Sequence, residues 1–169
     1  METFEEIRQI LADTAKLAKE NQRMLGELGN KFGSFAEGMA LPSMEKILEE
    51  QFGLTNFFPR AKIKRNGQII EIDALAYANG EINVAVIVEI KSHLKGKDVE
   101  QVLKIMDRFV EFFPEHKSKK RYGIIAYIDA SEEGKNLAIK KGFYLANIHD
   151  EIFEMKTPLG FIPKDFSKN

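Results

Sequence analysis

The stretch from Gln68 to Lys91, QIIEIDALAYANGEINVAVIVEIK, decides the fold. It reads as two neighbouring strands joined at Asn79-Gly80, a dipeptide typical of tight hairpins. Strand side chains alternate between faces. The even positions Ile70, Ile72, Ala74 and Ala76 match Ile82, Val84, Val86, Val88 and Ile90, and form one aliphatic face expected to be core. The odd face collects Glu71, Asp73, Glu89 and Lys91. Charges within apolar strands are costly to bury unless they are paired or bind a metal, which makes this face the candidate site. A symmetric two-residue turn at Asn79-Gly80 would pair Asp73 with Val86 and put Asp73 and Glu89 on opposite faces. A shared site therefore requires an odd-length connection or a bulge, and even then the two acids are expected to start some residues apart along their strands.

Working upstream, Arg60–Arg65 reads as a third strand, turning at Asn66-Gly67, with Thr55–Pro59 as a loop before it. A helix is expected over about residues 35–51, stopped by Gly53, with Pro42 kinking or restarting it. Glu37 shares a helical face with Leu41, Met44 and Leu48, an apolar stripe that would turn a glutamate inward. Residues 4–35 carry heptads. Phe4, Leu11, Ala18, Leu25 and Phe32 fall at one position, and Ile7, Thr14, Asn21, Leu28 and Phe35 at the other. This predicts a coiled-coil helix that pairs the chain as a homodimer, against the plainer reading of a helix folded back on its own domain. Gly26, Gly29, Gly33 and Gly38 mark a hinge or break after it. The expected division is an arm at 1–33 and a domain at 34–169.

Downstream, a polar connection (SHLKGK, Ser92–Lys97) leads to a helix from Asp98 to Phe113, closed by Pro114. A strand at Tyr122–Ile128, a short helix at Glu132–Lys141 and a strand at Phe143–Ile148 follow, with residues 151–155 a further candidate and an irregular tail. A helical crossover makes the strand that follows it parallel to its neighbour, so the sheet is mixed, α/β in class.

The totals set limits. With 169 residues, 44% hydrophobic and 30% charged, the chain suits a globular domain with an appendage. The absence of cysteine excludes disulfides and thiolate metal sites. No apolar run spans a bilayer, and METFEEIRQI does not read as a signal peptide, so a cytoplasmic protein with no membrane partner is expected. A net charge of -1 leaves nucleic-acid binding to local patches. His93, His116 and His149 are scattered without ligand spacing, Lys117, Lys119, Lys120 and Arg121 read as a solvated loop, and Phe57 and Phe58 as core or arm-packing residues rather than base-stacking ones.

The order helix, three strands, helix, strand, with an acid (Asp73) in the second strand and Glu89-Ile90-Lys91 in the third, resembles the PD-(D/E)XK nuclease superfamily, from about Gly33 to Ile148. With the heptad arm, the chain is similar to coiled-coil-bearing prokaryotic members. The resemblance implies a restriction-endonuclease-like mixed sheet with an αβββαβ core. It aligns Asp73, Glu89 and Lys91 with the motif residues, Glu37 with a first-helix glutamate and Gln101 with a glutamine on the helix after the motif. The chain departs from the pattern at Ile72, which stands where a proline often precedes the aspartate.

The implied chemistry is phosphodiester hydrolysis of DNA. Asp73, Glu89, the Ile90 carbonyl and Glu37 would hold Mg²⁺ or Mn²⁺, a hard cation suited to oxygen ligands. Lys91 would serve the attacking water or the transition-state charge, and Gln101 would position water, Lys91 or phosphate. Lys95, Lys97 and Lys104 are candidate phosphate contacts. Two other readings stand beside this one. Glu89 and Lys91 would be a surface pair on an edge strand, or the domain would be a catalytically inactive nuclease-fold module serving as a coiled-coil adaptor.

Overall fold

In a computed structural model, which describes residues 3–150 and 152–168, the chain divides into two units at Phe35/Ala36. Helix α1 (Phe4–Phe52) runs without interruption through the four glycines and Pro42, where a hinge or restart was expected. Proline removes one helical hydrogen bond but its φ suits a helix. Burial of Ala36, Ala40, Met44, Ile47 and Leu48 holds the segment around Pro42. Gly53, at φ +69°, ends the helix. In the first unit the heptad stripe is exposed, from Phe4 through Leu11, Leu17, Leu25 and Leu28 to Phe35.

The second unit holds a six-stranded mixed sheet in the order β1-β2-β3-β4-β5-β6. Its strands are β1 (Asn56–Arg65), β2 (Gln68–Ala78), β3 (Val84–Leu94), β4 (Lys120–Ala130), β5 (Tyr144–His149) and β6 (Ile152–Met155). β3-β4 and β4-β5 are parallel and the other pairs antiparallel. Helices α2 (Gly96–Phe112) and α3 (Glu132–Lys140) supply the crossovers. β1 begins four residues before the sequence suggests, taking in the expected loop at Asn56–Pro59. α2 begins two residues early, where the Asp98 carboxylate accepts from the Lys95 amide at 2.8 Å.

Both faces of the sheet are core. One layer packs α2 and α3 against Ile70, Ile72, Leu75, Ala85 and Ile87, and the other packs the buried stripe of α1 against Ala74, Ala76, Val86, Val88 and Ile90. The expected single apolar face is thus corrected, because helices cover both sides of a central strand pair. Ile82 lies outside β3 and is exposed.

The division between layers carries the main irregularity. Ile72 faces the α2 layer and Ala74 the α1 layer, although residues two apart on a regular strand share a face. Between them sits Asp73. Opposite, Pro59 pairs with Ala74 and Ala61 with Ile72, while Arg60 drops out of the ladder with φ +52°. A non-glycine residue in the left-handed region costs about 1–2 kcal/mol, so the kink is maintained by its surroundings. It turns the alternation of both strands over at one point.

The β2-β3 connection is residues 79–83, an odd length, between Ala78 and its partner Val84. Asn83 lengthens it beyond a two-residue turn. Its side-chain amide donates to the Ser118 carbonyl, and its backbone carbonyl accepts from the Lys120 amide, so it is tied to the start of β4. The resulting register sets Asp73 directly across from Glu89, one step beyond the last ladder pair Ala74–Val88. This corrects the expectation that the two acids start some residues apart along their strands.

The loop before β4 is not uniformly solvated. Lys119 and Arg121 are only 5% and 7% exposed. Arg121 donates to the carbonyls of Lys117 and Phe166, which pins the tail, and Lys119 reaches the Asn83 side chain.

Candidate active site

Asp73 and Glu89 meet where β2 and β3 part. An Asp73 carboxylate oxygen accepts from the Ile90 amide at 2.7 Å, and a Glu89 oxygen accepts from the Asp73 amide at 3.4 Å. Amides that would have continued the ladder are thus satisfied by the two acids. Glu89 is 5% exposed, so it is not a surface residue of an edge strand. The Lys91 ammonium lies 3.5 Å from its other oxygen. Burial, with the neighbouring Asp73 charge second, pushes the Glu89 carboxyl up to about 7, against the pull of Lys91. Burial likewise raises Asp73, with Glu37 adding to the rise, while the Ile90 amide and then Lys91 and Arg60 oppose it.

Glu37 and Asp73 line one cleft of about 230 Å³ together with Arg60, Lys62 and Glu71. Glu37 sits at the edge of the buried stripe of α1, half-buried. Its carboxylate accepts from Arg60 Nε at 3.2 Å. Lys62 pairs with Glu71 across the rim. Ile90 enters through its backbone, its side chain lying in the α1 layer. Gln101 is on the exposed side of α2 and, among the described residues, makes no hydrogen bond to Asp73, Glu89 or Lys91. Lys104 lies on α2 beside Glu71 and Arg108, in a smaller cleft. Arg60 escaped the sequence reading because its role depends on a positive φ that no local pattern announces.

The donor set suits a hard cation. It contains oxygen ligands and no thiolate. Glu89, buried, and Asp73, half-buried, face each other while Lys91 pairs with Glu89 alone, an arrangement a divalent ion would complete. Among the described residues no group of three or more acidic, histidine or cysteine side chains is gathered to hold a metal. Mg²⁺ ordinarily keeps several waters and takes one or two protein carboxylates, so the Asp73-Glu89 pair meets that requirement.

No helix of the described residues is long and apolar enough to cross a membrane. Two solved structures are similar to this chain. One, the structure of an EndoMS–dsDNA2 complex, is 18% identical with a TM-score of 0.41, over 66% of this chain and 45% of that one. The other, a repair endonuclease from Pyrococcus abyssi, is 22% identical with a TM-score of 0.37, over 64% of this chain and 46% of that one. The chain thus spans less than half the length of either. No family model matches, and no curated protein does.

Proposed function

We propose that this chain is a divalent-metal-dependent phosphodiester hydrolase acting on DNA, dimerised through the helix over residues 4–35. The observation that carries the reading is the interlocked pair Asp73-Glu89, facing across the parted strands, Glu89 buried and Asp73 half-buried, with Lys91 on Glu89. Asp73 and Glu89 would hold Mg²⁺ or Mn²⁺ with the Ile90 carbonyl, and Glu37 would reach a second ion or a coordinated water. Bound there, the ion supplies charge neutralisation at the phosphate and acidifies water.

The chain's own groups do the rest. Lys91, held by Glu89, presents an ammonium where negative charge grows on the phosphate, or takes a proton from the attacking water when neutral. The Ile90 amide fixes Asp73, so the carboxylate is oriented before substrate arrives. Arg60, Lys62, Lys64 and Arg65 lie exposed along β1 and offer contacts to a phosphate backbone, which a net charge of -1 would otherwise not favour.

One observation favours the alternative, an inert nuclease-fold adaptor. Arg60 already pairs with Glu37 at the wall of the cleft. The deciding experiment titrates Mn²⁺ and Mg²⁺ calorimetrically into wild type and Glu89→Ala, and digests single-stranded, duplex and branched DNA in parallel. Metal binding and cleavage by wild type alone support the hydrolase. A wild type that binds no metal even with DNA present supports the adaptor.

A further inference from the structure

A second cleft, of about 340 Å³, adjoins the acidic one and shares Ala61 and Lys62 with it. Its character is different. Phe58, Tyr77, Phe113 and His116 line it. The kink at Arg60 and Asp73 creates it, because Phe58 on one side of the kink and Ala61 and Ile63 on the other come to border the same cleft.

Three features mark it as a site for a flat aromatic ligand. Phe58 stacks on Tyr77, with centroids 5.7 Å apart and planes 6° from parallel, yet Phe58 remains 48% exposed. An aromatic ring left half in water beside a stacked partner offers a platform for a third ring. His116 packs at 4.5 Å from Tyr77, is 5% exposed, and its Nδ1 has no hydrogen-bond partner. A buried polar atom without a partner calls for an explanation. Finally, Lys62 lines the cleft, with Glu115, and is the lysine there that suits an anionic chain carrying the ring, while the buried Lys119 ammonium lies 5.8 Å over the Tyr77 ring. The volume falls within the range of small-molecule sites.

We propose that this cleft receives an unpaired base of the DNA strand whose backbone crosses the acidic cleft, the base stacking on Phe58 while Lys62 contacts its phosphate. The path of the strand rests on the hydrolase reading; the aromatic platform does not. A base inside a duplex cannot reach the cleft, so the preferred substrate carries a single-stranded, mismatched or bulged nucleotide. A free nucleotide shares the ring chemistry but lacks the neighbouring phosphates.

The test uses the full chain in EDTA, where no cleavage occurs, and duplexes with one unpaired 2-aminopurine, with an abasic residue in its place, or fully paired. The chain contains no tryptophan, so the probe's emission is read against little background. Wild type is expected to quench the probe and to bind the unpaired-base duplex about 5- to 150-fold more tightly than the abasic one, the span of stacking on one aromatic residue. Phe58→Ala should abolish that preference; Phe58→Leu, which keeps apolar volume without the ring, serves if the first variant melts early. Equal affinity for the three duplexes, or a preference that survives loss of the ring, overturns the proposal. So does displacement of the duplex by a nucleoside monophosphate at the same concentration. A base preference retained in wild type that cuts no DNA with metal would sink only the hydrolase reading.

Discussion

Asp73 and Glu89 hold one another through the backbone: each carboxylate caps an amide on the opposite strand, Ile90 at 2.7 Å and Asp73 at 3.4 Å. The bonds keep β2 and β3 together where their ladder ends, and they fix two carboxyl groups beside one another, Glu89 buried and Asp73 half-buried. Structure and candidate chemistry therefore compete at the same atoms.

That competition predicts a pH profile for the metal-free protein. Facing Glu89 are Asp73 from β2 and Lys91 from β3, with Glu37 of α1 and Arg60 of β1 acting on Asp73. Glu89 is raised from an ordinary 4.5 to about 7, so between those values the folded chain holds more protons than the unfolded one. Its contribution is fully present below about 4.5 and is lost as pH rises through about 7. In EDTA, Glu89→Gln should flatten this fall and be more stable than wild type at pH 8, by on the order of 3 kcal/mol or less. Urea unfolding at pH 5 and pH 8 measures it, and a wild type no more pH-sensitive than the variant contradicts the burial argument.

Lys91 bears on chemistry rather than on folding, since it is partly exposed and pairs with a single acid. Lys91→Ala should reduce DNA cleavage by about 10²- to 10⁴-fold, the usual yield of a positioned proton-transfer group. Its Mn²⁺ affinity should change little. Full activity in the alanine variant would remove Lys91 from the mechanism.

Arg60 separates backbone strain from side-chain contact. Both Arg60→Ala and Arg60→Gly lose the ion pair to Glu37, but only glycine is relaxed at φ +52°. Arg60→Gly should be the more stable of the two by about 1 kcal/mol. Denaturant midpoints of the pair read this directly, and an alanine variant equal to the glycine variant would mean the strand straightens once Arg60 is gone.

The arm leaves Leu25 and Leu28 68% and 54% exposed on one helix face. A dimer would bury them. Light scattering at micromolar concentration should find wild type as a dimer and Leu25→Glu/Leu28→Glu as a monomer, with the helical signal of the second unit intact. A monomeric wild type would end the coiled-coil reading.

A fifth prediction concerns packing. A Cβ on Gly123 would lie 2.5 Å from ring carbons of Phe143, which is fully buried. Gly123→Ala should cost about 1–3 kcal/mol through overpacking, visible as a lowered melting temperature.

Much of this molecule is local, and local patterns are legible. The hairpin at Asn66-Gly67, the stripe of α2, the crossover helices and the parallel strands they imply all follow from hydrophobic period and turn chemistry, because those forces act between residues close in the chain. The need for an odd-length link between β2 and β3 was also legible, since alternation has only two states and the acids could share a site in only one of them. What alternation could not supply was the direct opposition of Asp73 and Glu89. That depends on Asn83 being held by Ser118 and Lys120, more than thirty residues away. Likewise the positive φ at Arg60, the change of layer at Asp73, the continuity of α1 through Pro42 and the aromatic cleft beside Phe58 arise from packing both faces of one sheet. Local pattern settles which elements form and which side chains carry charge into the strands. Where those charges meet is settled in three dimensions, because register and layer are set by contacts between distant segments, whose energies no local pattern records.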